Sequence, residues 1–227
     1  MNILAFMAHP DDAAFFCGGT LLKYRQLGHE IYIAVATGNS EPNGAKQLDA
    51  NIRLLGFSKG QIHDDMTARA AALTAIRWAN ADIIITHAPW DGDVDHAVTS
   101  KLMADSLLIV GGNLHPADLP PINKLPHLFY TDTRFGNSLE NRPYFRNYRT
   151  TDQTFYLTPG VHSNDWYEPE AYVDISEFME QKLSFTENAD AATAQCRMRG
   201  IQYGVKYAEA FTGHRIVGHI ADYRLLP

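Results

Sequence analysis

His9-Pro10-Asp11-Asp12 puts an imidazole and two carboxylates on four adjacent positions. A second group, His87, Asp91, Asp93, Asp95 and His96, is packed into a short stretch further on. Imidazole nitrogens and carboxylate oxygens are zinc ligands. Three such ligands with one open position make a catalytic arrangement, because the open position admits water. Zinc lowers the pKa of such a water toward about 7 and polarises an amide carbonyl. A nearby carboxylate can take the water's proton and return it to a leaving amine. The oxyanion formed on the way needs the metal and one more donor. Each group also has a plainer reading. The first is a solvated acidic turn. The second is a helix start, with Asp95 as its cap and His96 on the surface of the first turn.

Placement favours the chemistry. Residues 3–8 are a short apolar run that suits a strand buried on both faces, and residues 31–36 and 82–87 read the same way. Between them, Gly18-Gly19 breaks the chain, and Leu21, Leu22, Tyr24 and Leu27 look like a helix stopped at Gly28. Residues 37–44 form a loop. Leu48, Ile52 and Leu55 before Gly56 have helical spacing, as do residues 67–79 and 97–110. Strands alternating with helices in units of about 30 residues predict an α/β fold: a doubly wound, mainly parallel sheet in a three-layer sandwich. Such sheets bind ligands beyond the carboxyl ends of their strands, which is where both groups fall.

The second half is less regular. Residues 127–131 and 154–157 are expected as short strands around a long functional loop, 132–166. A helix is expected over 176–194 with Ser176 as its N-cap, and another over 202–211. No repeat or linker interrupts the chain, so one domain, residues 1–227, is the expectation.

Ala8-His9-Pro10-Asp11-Asp12 followed by Cys17-Gly18-Gly19-Thr20 resembles the signature of the LmbE-like, or PIG-L, de-N-acetylase family. Pro89-x-Asp91-x-Asp93-x-Asp95-His96 resembles its second motif, and Gly204 to Phe211 its C-terminal YAEAF tail. Thr37-Gly38 matches a loop after the second strand, and Leu55-Gly56 the end of the following helix. The matches run from residue 3 to residue 211. The resemblance implies a Rossmann-like fold and a mononuclear zinc hydrolase acting on N-acylated amines, most often N-acetylglucosamine conjugates. By position, it implies His9, Asp12 and His96 as zinc ligands, Asp11 as general base and Asp95 as a carboxylate that orients the site. Iron or cobalt could also occupy such N/O ligands.

Four departures stand out. Ala13 replaces a usual Glu, and Lys46-Gln47-Leu48-Asp49 replaces R-x-x-E, where Lys lacks the guanidinium fork. A late histidine is not recognisable around Asn188. Asp93 stands where the family has a histidine that helps hold the oxyanion or protonate the leaving group. An ionised Asp93 would repel an oxyanion, and a buried neutral one could donate a proton. A second reading therefore accompanies hydrolysis: a member of the fold that binds metal or carbohydrate without efficient turnover. His87 and His214 are the candidate replacements, with an ordinary structural role as the simpler account of each.

Composition excludes other classes. The chain has 227 residues, 45% hydrophobic and 20% charged, which excludes disorder and coiled coil. A net charge of −7 argues against general nucleic-acid binding. No apolar run reaches about 18 residues, so no membrane span is expected, and the N-terminus lacks a basic secretory leader. Two cysteines suit a reducing cytoplasm, with Cys17 read as a small buried packing residue. G-x-G-x-x-G is absent after the first strand, which speaks against dinucleotide binding. Asp64-Asp65 reads as a solvated turn. Arg134, Arg142, Arg146 and Arg149, interleaved with aromatics, read as a pocket wall or as a surface contact, and homo-oligomer formation stays open. Trp166-Tyr167 could stack on a sugar or pack in the core.

Overall fold

The computed structural model describes residues 1–89, 91–113, 117–133, 149–150, 153–154 and 169–214. Strand β1 (Asn2–Met7) leads into helix α1 (Asp12–Gln26) and strand β2 (Glu30–Thr37). Strand β3 (Asn51–Phe57), helix α2 (Met66–Ala79), strand β4 (Ile83–Thr86) and helix α3 (Val94–Leu107) follow. Then come β5 (His127–Thr131), a small hairpin of β6 (Arg149–Thr150) and β7 (Gln153–Thr154), and β8 (Ala171–Asp174). Helices α4 (Met179–Leu183) and α5 (Ala189–Tyr203) and strand β9 (Ala208–Gly213) end the described chain.

Seven strands form one sheet in the order β3-β2-β1-β4-β5-β9-β8. The first five are parallel, and β9 runs antiparallel to both β5 and β8. Side chains alternate across the sheet. Ile3, Ala5 and Met7 of β1 face α1, α4 and α5, while Leu4 and Phe6 face α2 and α3. Helices on both faces therefore require central strands that are apolar at every position. Each fully buried Ile or Leu contributes about 1.5–3 kcal/mol relative to exposure. The chain reverses direction across the sheet between β1 and β4, and the crevice beyond their carboxyl ends is where such folds bind ligands.

Several local expectations are corrected. Residues 51–57 form the edge strand β3, not a helix. Arg53, Leu55 and Phe57 are half-buried and alternate with exposed Ile52 and Leu54. A strand covered on one side alternates with period two. The apparent three-to-four spacing came from Leu48, which is buried in the turn before it. Leu55-Gly56 therefore ends no helix. Gly18-Gly19 does not break the chain but lies inside α1. A Cβ on Gly19 would stand 2.7 Å from Ile175, so the pair permits close approach of the β8–α4 segment rather than a turn.

The expected helix over 176–194 is two helices. Asn188 caps the second by accepting from the N–H of Ala191. Ser176 bonds Asp174 and Tyr207 instead of capping a helix. Residues 208–213 form β9 rather than helix, because α5 stops at Gly204 with φ +86°, a left-handed conformation that Gly adopts at little cost. Of the expected strand at 154–157, residue 154 belongs to β7 and the remainder lies outside the described residues.

Candidate metal centre

Strand β1 delivers His9 at its carboxyl end, and α1 begins three residues later with Asp12 at its first position. Strand β4 leads to His87, and α3 carries Asp95 and His96 in its first turn. Because β1 and β4 are neighbours, the two sequence groups meet. Nδ1 of His9 lies 3.2 Å from Oδ2 of Asp12 and 3.2 Å from Nε2 of His96. Nε2 of His96 lies 3.3 Å from the same Asp12 oxygen. A tetrahedral ion with bonds of about 2.0–2.1 Å spaces its ligands by about 3.3–3.4 Å. The three atoms thus form a nearly equilateral triangle of the size one divalent ion needs.

The remaining nitrogens of the two imidazoles face carboxylates. Nε2 of His9 is 3.3 Å from Oδ2 of Asp95, and Nδ1 of His96 is 3.0 Å from Oδ2 of Asp91. The second pair is an ion-pair contact rather than an aligned hydrogen bond. A carboxylate behind a ligating imidazole fixes its ring and its tautomer, leaving the other nitrogen to bind metal. Asp95 does not cap α3. Asp93 does, accepting from the N–H of Asp95 at 2.9 Å, while Asp95 accepts from the N–H of Gly60 at 2.7 Å. His96 is buried, not on the surface of the first turn.

Burial alone would push the Asp12 carboxyl up, but the imidazoles of His87, His9 and His96 hold it well below the usual carboxylate range. His96 is likewise opposed by burial, yet Asp12 and Asp91 raise it to about 10. Burial lowers His87. Its Nε2 accepts the Ala8 N–H at 2.9 Å and lies 3.2 Å from Oδ2 of Asp12. Oδ1 of Asp12 is buried with no hydrogen-bond partner. An orphaned buried carboxylate oxygen is what a bound cation would relieve.

Asp11 is the N-cap residue of α1 and is half-buried, with no side-chain capping bond to the helix. An oxygen of Asp93 lies within 4.8 Å of one ring nitrogen of His9 and one of His96. His87, simplest to read as structural, is fully buried beside the site and stacks on His96 with ring centroids 3.7 Å apart. Its place directly after β4 was the available signal. Asp91 was missed as a partner of His96, although it shares the tight Asp91-Asp93-Asp95 alternation. His214 pairs instead with the Tyr130 hydroxyl at 2.6 Å. Asp64 pairs with Arg69 and Lys101, and Asp65 caps α2. Cys17 is buried, as expected. Residues 134–148 and Trp166-Tyr167 lie outside the described residues.

Fold and site together define a class. The family described as PIG-L: GlcNAc-PI de-N-acetylase matches residues 4–49, which include the whole first group. The chain is thus LmbE-like, or PIG-L-like, in its N-terminal signature and in its fold. The conserved protein TT1542 from Thermus thermophilus is 21% identical, with 98% of each chain covered and a TM-score of 0.72. GalB, the 4-carboxy-2-hydroxymuconate hydratase of Pseudomonas putida, is 13% identical over 97% of this chain and 100% of its own, with a TM-score of 0.71. The N,N'-diacetylchitobiose deacetylase of Pyrococcus horikoshii is 18% identical over 99% and 88%, with a TM-score of 0.70. At these identities the likeness establishes the fold. A deacetylase and a hydratase share it, so the chemistry has to be argued from the site. No described helix is long and apolar enough to cross a membrane.

Proposed function

We propose that the protein is a metal-dependent hydrolase that removes an N-acetyl group from an N-acetylglucosamine-type sugar or conjugate. The carrying observation is the triangle of His9 Nδ1, Asp12 Oδ2 and His96 Nε2, with edges of 3.2, 3.2 and 3.3 Å. Its donor set, two imidazoles and a carboxylate, suits zinc best. A zinc ion held there supplies an acidified water and a polarised carbonyl.

The chain's own residues do the rest. Asp11, adjacent to the ligand Asp12 but outside the triangle, takes the proton of the attacking water and passes it to the leaving amine. Asp95 holds His9 so that it presents Nδ1, and the Asp91 carboxylate stands as an ion-pair partner behind His96. His87 and Phe16 pack against His96 and exclude water from its buried face. The substrate class is carried over from the family resemblance, which the match over residues 4–49 supports. A cytoplasmic setting is part of the same proposal.

Asp93 favours the second reading, a metal and carbohydrate binder with little turnover. It replaces the family's histidine, and one of its oxygens is occupied as the α3 cap. One experiment separates the two. Acetate release is measured from a panel of N-acetylated sugars after zinc loading. Zinc-dependent release supports the hydrolase. Stoichiometric zinc with sugar binding and no release supports the binder.

A further inference from the structure

Helix α1, which carries the Asp11–Asp12 turn, has a buried ion pair bonded to the backbone at its middle. Lys182 is fully buried, and Glu209 nearly so. Their charges meet at 2.5 Å. Burying two charges is costly, and they persist only where the pairing and the remaining hydrogen bonds are good. Here those bonds go to the helix backbone. The Lys182 ammonium donates to the carbonyl of Phe15 at 2.6 Å. The Glu209 carboxylate accepts from the N–H groups of Gly19 and Thr20 at 2.9 and 2.7 Å. In a regular helix the Phe15 carbonyl is the acceptor for the Gly19 N–H. Both members of that pair also bond to the buried ion pair. Thr186, just past α4, adds a bond to the Ala14 carbonyl.

We propose that the Lys182–Glu209 pair is a positioning device for the metal centre, clamping the backbone of α1 so that its first turn is held in register with His9 and His96. The proposal rests on the metal-binding reading above. Two routes carry the position of α1 to the ligands. Asp12 opens the helix and supplies an edge of the triangle. Phe16, next to the clamped Phe15 carbonyl, sets its ring edge-on to both His87 and His96, at 5.5 and 5.8 Å. Gly18 and Gly19 complete the device, since a Cβ at either would press on Phe185 or Ile175. Neither Lys182 nor Glu209 touches the triangle, so they are positioning residues rather than catalytic ones.

The test is the double variant Lys182→Met/Glu209→Met. Exchanging a buried ion pair for apolar side chains of similar size is often neutral for stability, so the variant is expected to fold. Freed of the pair, α1 loses its side-chain anchors at Phe15, Gly19 and Thr20, and the first turn shifts. Zinc affinity, read by competition with a chelator, should fall about 10- to 100-fold, the usual cost of disturbing groups that orient ligands. The melting temperature of the metal-free protein should stay near wild type. A stable double variant with wild-type zinc affinity would overturn the proposal. Imidazole 15N shifts of His9 and His96 in the metal-free protein read the same displacement independently, and unchanged shifts would also overturn it. Should the double variant not fold, Gly19→Ala, which pushes α1 off Ile175 without touching a charge, is expected to give the same loss and shift changes. A wild-type protein that binds no zinc defeats the metal reading alone, and the shifts then decide the positioning claim.

Discussion

Oδ2 of Asp95 lies 3.3 Å from Nε2 of His9 and also accepts the N–H of Gly60 at 2.7 Å. One carboxylate thus ties the loop after β3 to the imidazole at the end of β1. A ring held through Nε2 presents Nδ1, which is the atom in the triangle. Replacing Asp95 with Ala should lower zinc affinity by about 10- to 100-fold. Chelator competition measures this, and an unchanged affinity would mean that the contact does not orient the ring.

His96 ties metal binding to pH. Burial lowers its affinity for a proton, but Asp12 and Asp91 outweigh burial and raise its pKa to about 10 in the metal-free protein. The imidazolium therefore contributes stability that is fully present below the unfolded value of about 6.5 and is lost as pH rises through about 10. A metal needs the neutral ring, so uptake at neutral pH must expel this proton. Calorimetry in buffers of different ionisation heat should show proton release on zinc binding. Zinc affinity should rise with pH over the same window.

Asp11 and Asp12 are adjacent, but only Asp12 belongs to the triangle. Asp11→Asn is expected to keep the metal while turnover falls about 10²-fold or more. Loss of metal in this variant would show that the two aspartates have exchanged roles.

Asp93 has a structural duty that can be separated from its charge. Asn caps helices as well as Asp does, whereas Ala at this position costs about 0.5–2 kcal/mol. Asp93→Asn should leave the melting temperature unchanged, and Asp93→Ala should lower it. If the carboxylate opposes an oxyanion, Asp93→Asn and Asp93→His should both raise the rate of acetate release. A brisk wild-type enzyme that slows on either change would show that Asp93 serves as an acid.

Much of this was legible in the sequence because the central strands are apolar at every position. Residues 3–8, 31–36 and 82–87 anticipate β1, β2 and β4 to within a residue or so. The switch-point rule then brings His9 to His96 on topology alone. Strand β3 was hidden because an edge strand buries one side only, and the buried turn residue Leu48 lent it a helical spacing. The strand at Ala208–Gly213 depends on where β9 inserts in the sheet, which local propensity does not report. The contact of Asp91 with His96 and the reach of Glu209 to Gly19 are products of the assembled fold. Their residue types were visible, but their partners were not.

The central claim is that His9, Asp12 and His96 hold one divalent metal ion. Metal content per chain, measured for wild type and for His96→Ala after zinc loading and gel filtration, tests it most directly. The account predicts one zinc per wild-type chain and little or none in His96→Ala, with both proteins folded. Equal metal content in the two proteins, or none in wild type, would contradict it.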